Sequence, residues 1–161
     1  MGKILWFYGE PATGKSTVSS ALGWALNERG HSVAILESER VRKETGIWDF
    51  SPQGRDHHAR YMAFIAMEMA RGEYEFVLPA LVHPSAESRQ KARWIADRWG
   101  IPFIDIYMTC NEAALAARRS VREEFEYEKV PFEVPKSPNI KLDTGALSVG
   151  RCVEVLLEKV L

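Results

Sequence analysis

The segment GEPATGKST, from Gly9 to Thr17, has the spacing of a phosphate-binding loop. It fits the pattern G-x-x-x-x-G-K-[ST], with Gly9, Gly14, Lys15 and Ser16 at the fixed positions. In such a loop backbone N–H groups surround phosphate oxygens, the lysine reaches the β- and γ-phosphates, and the serine hydroxyl holds Mg²⁺. The apolar run ILWFY precedes the segment and a helical pattern follows it, as this motif requires. We therefore predict a nucleotide site, against the alternative of a glycine-rich turn.

Two absences narrow the class of nucleotide-binding protein. No Asn-Lys-x-Asp segment is present, so the base pocket of an ordinary GTPase is not expected. The predicted third strand, 76–78, meets Pro79 in the segment FVLPA and lacks the acidic residue that many ATPase motors carry at the end of this strand. A compact ATP-dependent kinase with Mg²⁺ and a small acceptor remains. The predicted nucleotide-binding residues of the loop are Gly9, Ala12, Thr13, Gly14, Lys15, Ser16 and Thr17, with Ser16 also the metal ligand.

Short apolar runs alternate with longer amphipathic segments, which predicts repeated βα units around a parallel sheet. The expected fold class is α/β: a three-layer P-loop kinase fold with a mostly parallel five-stranded sheet, in a single domain over residues 1–161. Strands are predicted at 4–8, 32–36, 76–78, 101–108 and 140–143, and helices at 15–29, 39–44, 52–71, 85–99, 111–128 and 148–160.

Composition excludes several classes of function. The hydrophobic fraction of 46% is that of a globular protein, and the formal net charge of −1 gives no basic field for nucleic acid or anionic lipid. No apolar run is long enough to span a membrane. The cysteines, Cys110 and Cys152, have no metal-site or redox spacing, so we expect reduced thiols and a cytoplasmic protein.

Four further segments follow the loop in a fixed order: LESERVR, FSPQGRDHHAR, VHPSAESRQ and FEVPKSPNIKLDT. Together with the loop they resemble the adenylylsulfate kinase family, which has L-D-G-D-N-x-R, F-S-x-x-D-R-x-E-N, F-I-S-P-[YH] and P-Y-E-x-P-x-x-P-[DN]-L-x-[IL]-D-T. The resemblance implies a role in sulfate assimilation. The reaction it implies is transfer of the ATP γ-phosphate, with Mg²⁺, to the ribose 3′-hydroxyl of adenylylsulfate.

The resemblance also implies roles for individual residues. Arg42 and Arg55 match family arginines and would bind the anionic groups of the acceptor, while Phe50 would stack on its base. Glu37 and Glu39 stand where the family has aspartates, and one of them would receive the hydroxyl proton or orient the hydroxyl near Mg²⁺. Helix capping by the two glutamates, surface positions for the arginines and packing of Phe50 on the core are the alternatives.

Other predicted site residues lie further along the chain. His58 and His83 occupy acceptor-site positions where the family has asparagine and serine. Arg118 matches a family arginine beside the nucleotide, and the chain around Thr144 and Gly145 would flank the adenine.

The segment SVREEFEYEKV, residues 120–130, is short and acidic where the family has a basic lid of the type K-G-L-Y-K-K-A-R. Two alternatives therefore stay open: a kinase on the same scaffold acting on another nucleotide-like acceptor or a modified nucleobase, and a non-catalytic nucleotide-binding module. The expected partner is a small nucleotide-like acceptor; nucleic acid is disfavoured but not excluded, no membrane is expected, and a homodimer stays open as an assembly.

Overall fold

A computed structural model describes residues 1–120 and 131–161 and shows one parallel five-stranded sheet with helices on both faces. The strands lie in the order β2-β3-β1-β4-β5, and every adjacent pair is parallel. The α/β prediction with five strands is therefore confirmed. The strands are β1 (Lys3–Tyr8), β2 (Val33–Glu37), β3 (Phe76–Leu81), β4 (Phe103–Thr109) and β5 (Ile140–Asp143).

Two separate hydrophobic clusters show that the sheet is the middle of three layers. One cluster joins the sheet to α3 and α4, and the other joins it to α1 and α6. The three-layer prediction is confirmed. The helices in the described residues are α1 (Lys15–Glu28), α2 (Ser38–Thr45), α3 (Pro52–Arg71), α4 (Ala86–Asp97), α5 (Glu112–Ser120) and α6 (Val149–Val160).

The central strand β1 explains why a fully apolar run leads into the loop. Ile4, Trp6 and Tyr8 face the α3/α4 cluster, whereas Leu5 and Phe7 face the α1/α6 cluster. All five side chains are at most 1% exposed. A parallel strand covered on both faces has no polar side, so continuous hydrophobicity replaces alternation. The segment after β1 therefore leaves the sheet at the middle of its carboxyl edge, where open α/β sheets bind ligands.

Local signals set the helix ends close to their predicted positions. The helix α3 begins at Pro52, where a missing N–H costs nothing, and the Ser51 side chain accepts a hydrogen bond from Gly54 N at 3.1 Å. After α1 the chain passes through Gly30 with φ of +89°, a conformation that residues with a Cβ rarely adopt.

The predicted end of the third strand at 78 is wrong. The strand β3 runs on to Leu81 and contains Pro79, which pairs with Leu36 of β2. On its other side, the pairing with β1 has no partner pairs at Leu78 and Pro79. Because proline has no N–H to donate, the pairing of β3 with β1 is interrupted at this position and resumes at Ala80. The strand therefore ends at Leu81, three residues beyond its predicted end.

The helix predicted over 111–128 is found as α5, Glu112–Ser120. Residues 121–130, which hold the rest of that predicted helix and all but the first residue of the segment expected in place of the family lid, lie outside the described residues. Within the described part of the chain, no helix combines the length and apolar character needed to cross a membrane.

Candidate active site

The loop between β1 and α1 has a backbone conformation, and a close approach to β4, that depend on its glycines. Gly14 has φ of +92° and forms the N-cap of α1. Gly9 lies against β4, and a Cβ at this position would collide with the carbonyl oxygen of Met108. Ala12 has φ of +69° and is the one non-glycine residue with positive φ in the described ranges. The loop therefore turns tightly against the sheet and delivers the chain into the N-terminus of α1.

Lys15 lies folded over the loop at the start of α1. Its Nζ donates to the carbonyl oxygens of Glu10 at 2.7 Å and Gly9 at 3.1 Å. Thr13, only 1% exposed, donates from its hydroxyl to the same Glu10 oxygen at 2.9 Å. Thr17 is exposed in the first turn of α1. An ammonium group and the positive end of a helix dipole therefore meet at one point, as an anion site requires.

The predicted metal ligand Ser16 and the predicted acid Glu37 lie together. Ser16 Oγ donates to Glu37 Oε1 at 3.1 Å, across 21 residues of sequence. Glu37 is the last residue of β2 and the N-cap of α2, so the sheet edge fixes its position. Hydroxyl and carboxylate oxygens are the donors that Mg²⁺ takes, and Mg²⁺ in kinases uses few protein ligands beside phosphates and water. The residues present fit Mg²⁺.

The second predicted acid, Glu39, has a different environment. It lies in the first turn of α2, where its Oε1 is 3.6 Å from Lys43 Nζ. This i,i+4 pair lies on a helix surface, where such contacts contribute only about 0.3–0.5 kcal/mol. The structure therefore brings Glu37, rather than Glu39, into contact with the phosphate-binding loop.

Three predicted acceptor residues form one cluster. The guanidinium carbon of Arg42 lies 4.4 Å from the centre of the Phe50 ring, and that of Arg55 lies 5.2 Å from it. Arg55 Nε also donates to Phe50 O at 3.2 Å. Phe50 itself is 45% exposed. Two cations and an aromatic ring suit a ligand with a base and anionic groups.

Arg42 is more buried than a surface cation. It is 4% exposed and donates to the carbonyl oxygens of Ile47 at 3.2 Å and Asp49 at 3.4 Å. Burial, and then the charge of Arg55, lower the pKa of Arg42. Arg42 thus holds the loop before α3 in place, in addition to any contact with an anion.

His58 lies on α3 beside the same cluster. Its Nε2 is 2.7 Å from the hydroxyl of Ser38 at the start of α2. Burial lowers the pKa of His58 to about 4, and the charges of Arg42 and Arg55 add to this shift. His58 is therefore neutral near pH 7 and offers the acceptor side a hydrogen-bonding group, not a third cation.

His83, the other histidine predicted at the acceptor site, lies inside the protein. The residue is only 1% exposed. Trp6 Nε1 donates to its Nδ1 at 3.2 Å, and its Nε2 lies 2.9 Å from Ser88 Oγ. Burial, followed by the charge of Arg89, lowers the pKa of His83 to about 3. Both ring nitrogens of His83 therefore have hydrogen-bonding partners within the protein.

Arg118 and Thr144 meet on the outer side of the phosphate-binding loop. Arg118 Nη1 donates to Ala12 O and to Thr144 Oγ1, each at 3.0 Å, and its Nη2 donates to Thr144 O at 2.9 Å. Gly145 follows, with its N–H bonded to Asp143 Oδ1 at 2.9 Å. The predicted nucleotide-side residues are thus adjacent to the loop, although they come from the distant α5 and the end of β5.

Two arginines that the sequence analysis does not single out hold the segment FEVPKSPNIKLDT, residues 132–144, in place. Arg89, on α4, donates to His83 O and Glu133 O, each at 2.7 Å, and its guanidinium lies 5.5 Å from the Phe132 ring centre. Arg93, one turn later, donates to Asn139 Oδ1 at 2.9 Å. Arg89 and Arg93 are four residues apart on the predicted helix 85–99, and this spacing is the sequence feature that could have identified them as a pair on one helix face. These contacts attach the segment after 130 to the sheet edge that carries the site.

Comparison with known proteins shows which family this chain belongs to. A family model described as "Adenylylsulphate kinase" matches residues 1–143. The chain belongs to the adenylylsulphate kinase family. The resemblance noted from the motifs is confirmed, and the protein is accordingly an ATP-dependent kinase with a hydroxyl group as acceptor.

Individual relatives agree with this assignment over nearly the whole chain. Adenylyl-sulfate kinase of Phocaeicola vulgatus is 33% identical, with 99% of this chain and 82% of the relative covered. Adenylyl-sulfate kinase of Prochlorococcus marinus is 29% identical, with 98% and 83% covered. The Mycobacterium tuberculosis APS kinase CysC, solved with AMPPNP and APS, superposes with a TM-score of 0.87 at 23% identity, covering 98% of this chain and 96% of that one. At that identity the superposition supports the fold.

Proposed function

We propose that this adenylylsulphate kinase family member transfers the γ-phosphate of ATP to the 3′-hydroxyl of adenylylsulfate. The observation that carries the proposal is the Arg42–Phe50–Arg55 cluster, which lies after β2 while Lys15 and Ser16 lie after β1. Two parallel strands that lie on either side of β3 therefore supply a donor side and an acceptor side at one sheet edge.

On the donor side, Lys15 and the N-terminus of α1 would bind the β- and γ-phosphates of ATP. Mg²⁺ would be held by Ser16 and Glu37 together with phosphate oxygens, and would supply charge neutralisation when bound. Arg118, Thr144 and Gly145 would lie beside the nucleotide.

On the acceptor side, the Phe50 ring would stack on the adenine, and Arg42 and Arg55 would bind the phosphosulfate. The 3′-hydroxyl oxygen attacks the γ-phosphorus, the bond to the β-phosphate oxygen breaks, and ADP leaves with that electron pair. The hydroxyl proton passes to a carboxylate, for which Glu37 is the better placed of the two acids because it already contacts the loop.

A second candidate is a kinase of this family with a different acceptor. The observation that favours it is the Ser38–His58 pair at 2.7 Å, which places a neutral imidazole on the acceptor side where the motif has asparagine. Histidine and asparagine differ in the direction and number of their hydrogen bonds. The hydrogen bonds of histidine would therefore suit an acceptor whose anionic or hydroxyl groups differ from those of adenylylsulfate.

We also propose a domain organisation, a location and a kind of acceptor for this chain. We take residues 1–161 as a single domain acting in the cytoplasm, in keeping with two free cysteines, one of them buried. The acceptor is taken to be a small molecule because the net charge of −1 offers no field for a polyanion. A homodimer is compatible with this function and is not required by it.

We expect Arg55→Ala to weaken adenylylsulfate binding by about tenfold or more and to leave ATP binding within about twofold, since an ionic hydrogen bond to a ligand is worth about 1.5–3 kcal/mol. Arg55 stacks on Phe50 and lies at the start of α3, on the acceptor side. Calorimetric titration of each ligand measures both constants.

Arg71→Ala is the matched control, because it removes one positive charge from the far end of the same helix, where Arg71 lies on Trp99. It should leave both affinities unchanged. If Arg55→Ala lowers ATP affinity and spares adenylylsulfate, the donor and acceptor sides have been assigned the wrong way round.

A further inference from the structure

Three consecutive carbonyl groups of the phosphate-binding loop accept hydrogen bonds from side chains outside the loop. Pro11 O accepts from Arg119 Nη2 at 3.2 Å, and Ala12 O accepts from Arg118 Nη1 at 3.0 Å. Thr13 O accepts from Thr144 Oγ1 at 2.7 Å. Each donor is more than a hundred residues away in sequence, so these contacts are a product of the fold.

The consequence follows from the geometry of the peptide bond. No cis peptide occurs in the described residues, so each carbonyl points opposite to the N–H of the next residue. Carbonyls of residues 11, 12 and 13 held outward therefore direct the N–H groups of Ala12, Thr13 and Gly14 inward. Those three N–H groups are the donors with which a loop of this type surrounds phosphate oxygens.

We propose that Arg118, Arg119 and Thr144 are positioning residues that preorganise the phosphate-binding loop by holding its carbonyls outward. The inference rests on the proposed function only in requiring that the loop binds phosphates. It assigns to Arg119 a role that the motifs do not predict. It also gives Arg118 and Thr144 a role beyond lying beside the nucleotide.

Two of these residues, Arg118 and Thr144, form one unit that is anchored to the sheet. Arg118 also bonds to both the hydroxyl and the carbonyl of Thr144, at 3.0 and 2.9 Å. The Thr144 N–H donates to Thr109 O at 2.9 Å, which continues the ladder between β5 and β4. The loop is therefore held by a rigid sheet edge as well as by a helix.

The loop needs such support when no phosphate is bound. Ala12, with φ of +69°, adopts a conformation that a residue with a Cβ disfavours. Inward N–H dipoles also repel one another until an anion arrives. Donors that hold the carbonyls in place remove the need to reorganise the loop at binding, which is how preorganised sites gain affinity.

The test uses inorganic tripolyphosphate, ATP and adenylylsulfate as probes in calorimetric titrations. We expect Thr144→Val, which keeps the shape and removes the hydroxyl, to weaken tripolyphosphate and ATP by the same factor, about tenfold, while adenylylsulfate binding stays within about twofold. Thr144→Ser restores the hydroxyl and should recover the affinities for tripolyphosphate and ATP. Arg119→Met should act like Thr144→Val, with Arg151→Met, at a surface ion pair on α6, as its unaffected control.

Each possible outcome either supports or overturns the proposal. A loss for ATP without a loss for tripolyphosphate would mean that these residues contact the nucleoside and would overturn the proposal. An equal loss for all three probes, with a lower melting temperature, would assign them a general structural role and overturn it as well. Tripolyphosphate binding involves no acceptor, so the inference and the proposed acceptor can fail independently.

Discussion

Replacing Lys15 by alanine is expected to lower turnover about a thousandfold, equivalent to ~4 kcal/mol of transition-state stabilisation, while the fold stays intact. The Nζ of Lys15 lies 2.7 Å from Glu10 O and 3.1 Å from Gly9 O, so the ammonium is held over the loop where phosphates bind. Charge accumulates on the transferring phosphoryl group during reaction, and a fixed cation stabilises it there more than in the ground state. Turnover and far-UV circular dichroism should be measured on the same preparation.

The control for this change is Lys159→Ala, which removes an exposed lysine from the last turn of α6. It should leave turnover and circular dichroism unchanged. Turnover of Lys15→Ala within about tenfold of the unaltered protein would remove the phosphate-transfer role of the loop, because a lost oxyanion donor costs at least about a hundredfold.

Replacing Glu37 by glutamine is expected to lower turnover about a hundredfold or more and to raise the Mg²⁺ concentration needed for half-maximal rate. Glutamine keeps the size of the side chain and an oxygen for the 3.1 Å contact with Ser16, but it removes the charge and the ability to accept a proton. Steady-state rates over a series of Mg²⁺ concentrations measure both effects.

The matched comparison is Glu39→Gln, whose carboxylate pairs with Lys43 at 3.6 Å. We expect the smaller loss from Glu39→Gln, with its Mg²⁺ dependence unchanged. A larger loss from Glu39→Gln than from Glu37→Gln would reverse the assignment of the acid at the reacting centre.

Local sequence signals were sufficient for much of the fold. The helix 52–71 was predicted with the bounds that the structure gives, because Pro52 at its start and Gly72 after its end act on the backbone directly. The position of the phosphate-binding loop followed from glycines beside a buried strand. Such features depend on near neighbours in the chain, so a sequence pattern can carry them.

The features that the sequence did not predict depend on contacts between distant parts of the chain. Pro79 was taken as a strand end, but the sheet tolerates it because only the pairing with β1 is interrupted. The environment of His83 depends on Trp6 and Ser88, which belong to other elements. Arg119 lies on α5, and its contact with Pro11 O exists only because α5 lies against the loop. Periodicity carries no information on such pairings.

The central claim is that the acceptor is adenylylsulfate, and product analysis tests it most directly. The purified protein is supplied with ATP, Mg²⁺ and adenylylsulfate, and the nucleotides are separated by anion-exchange chromatography, with the Lys15→Ala variant run in parallel. The account predicts 3′-phosphoadenylylsulfate and ADP in equal amounts from the unaltered protein and neither from the variant. ATP binding without any 3′-phosphoadenylylsulfate would contradict it, and a kinase of this family with a different acceptor would then be the better description.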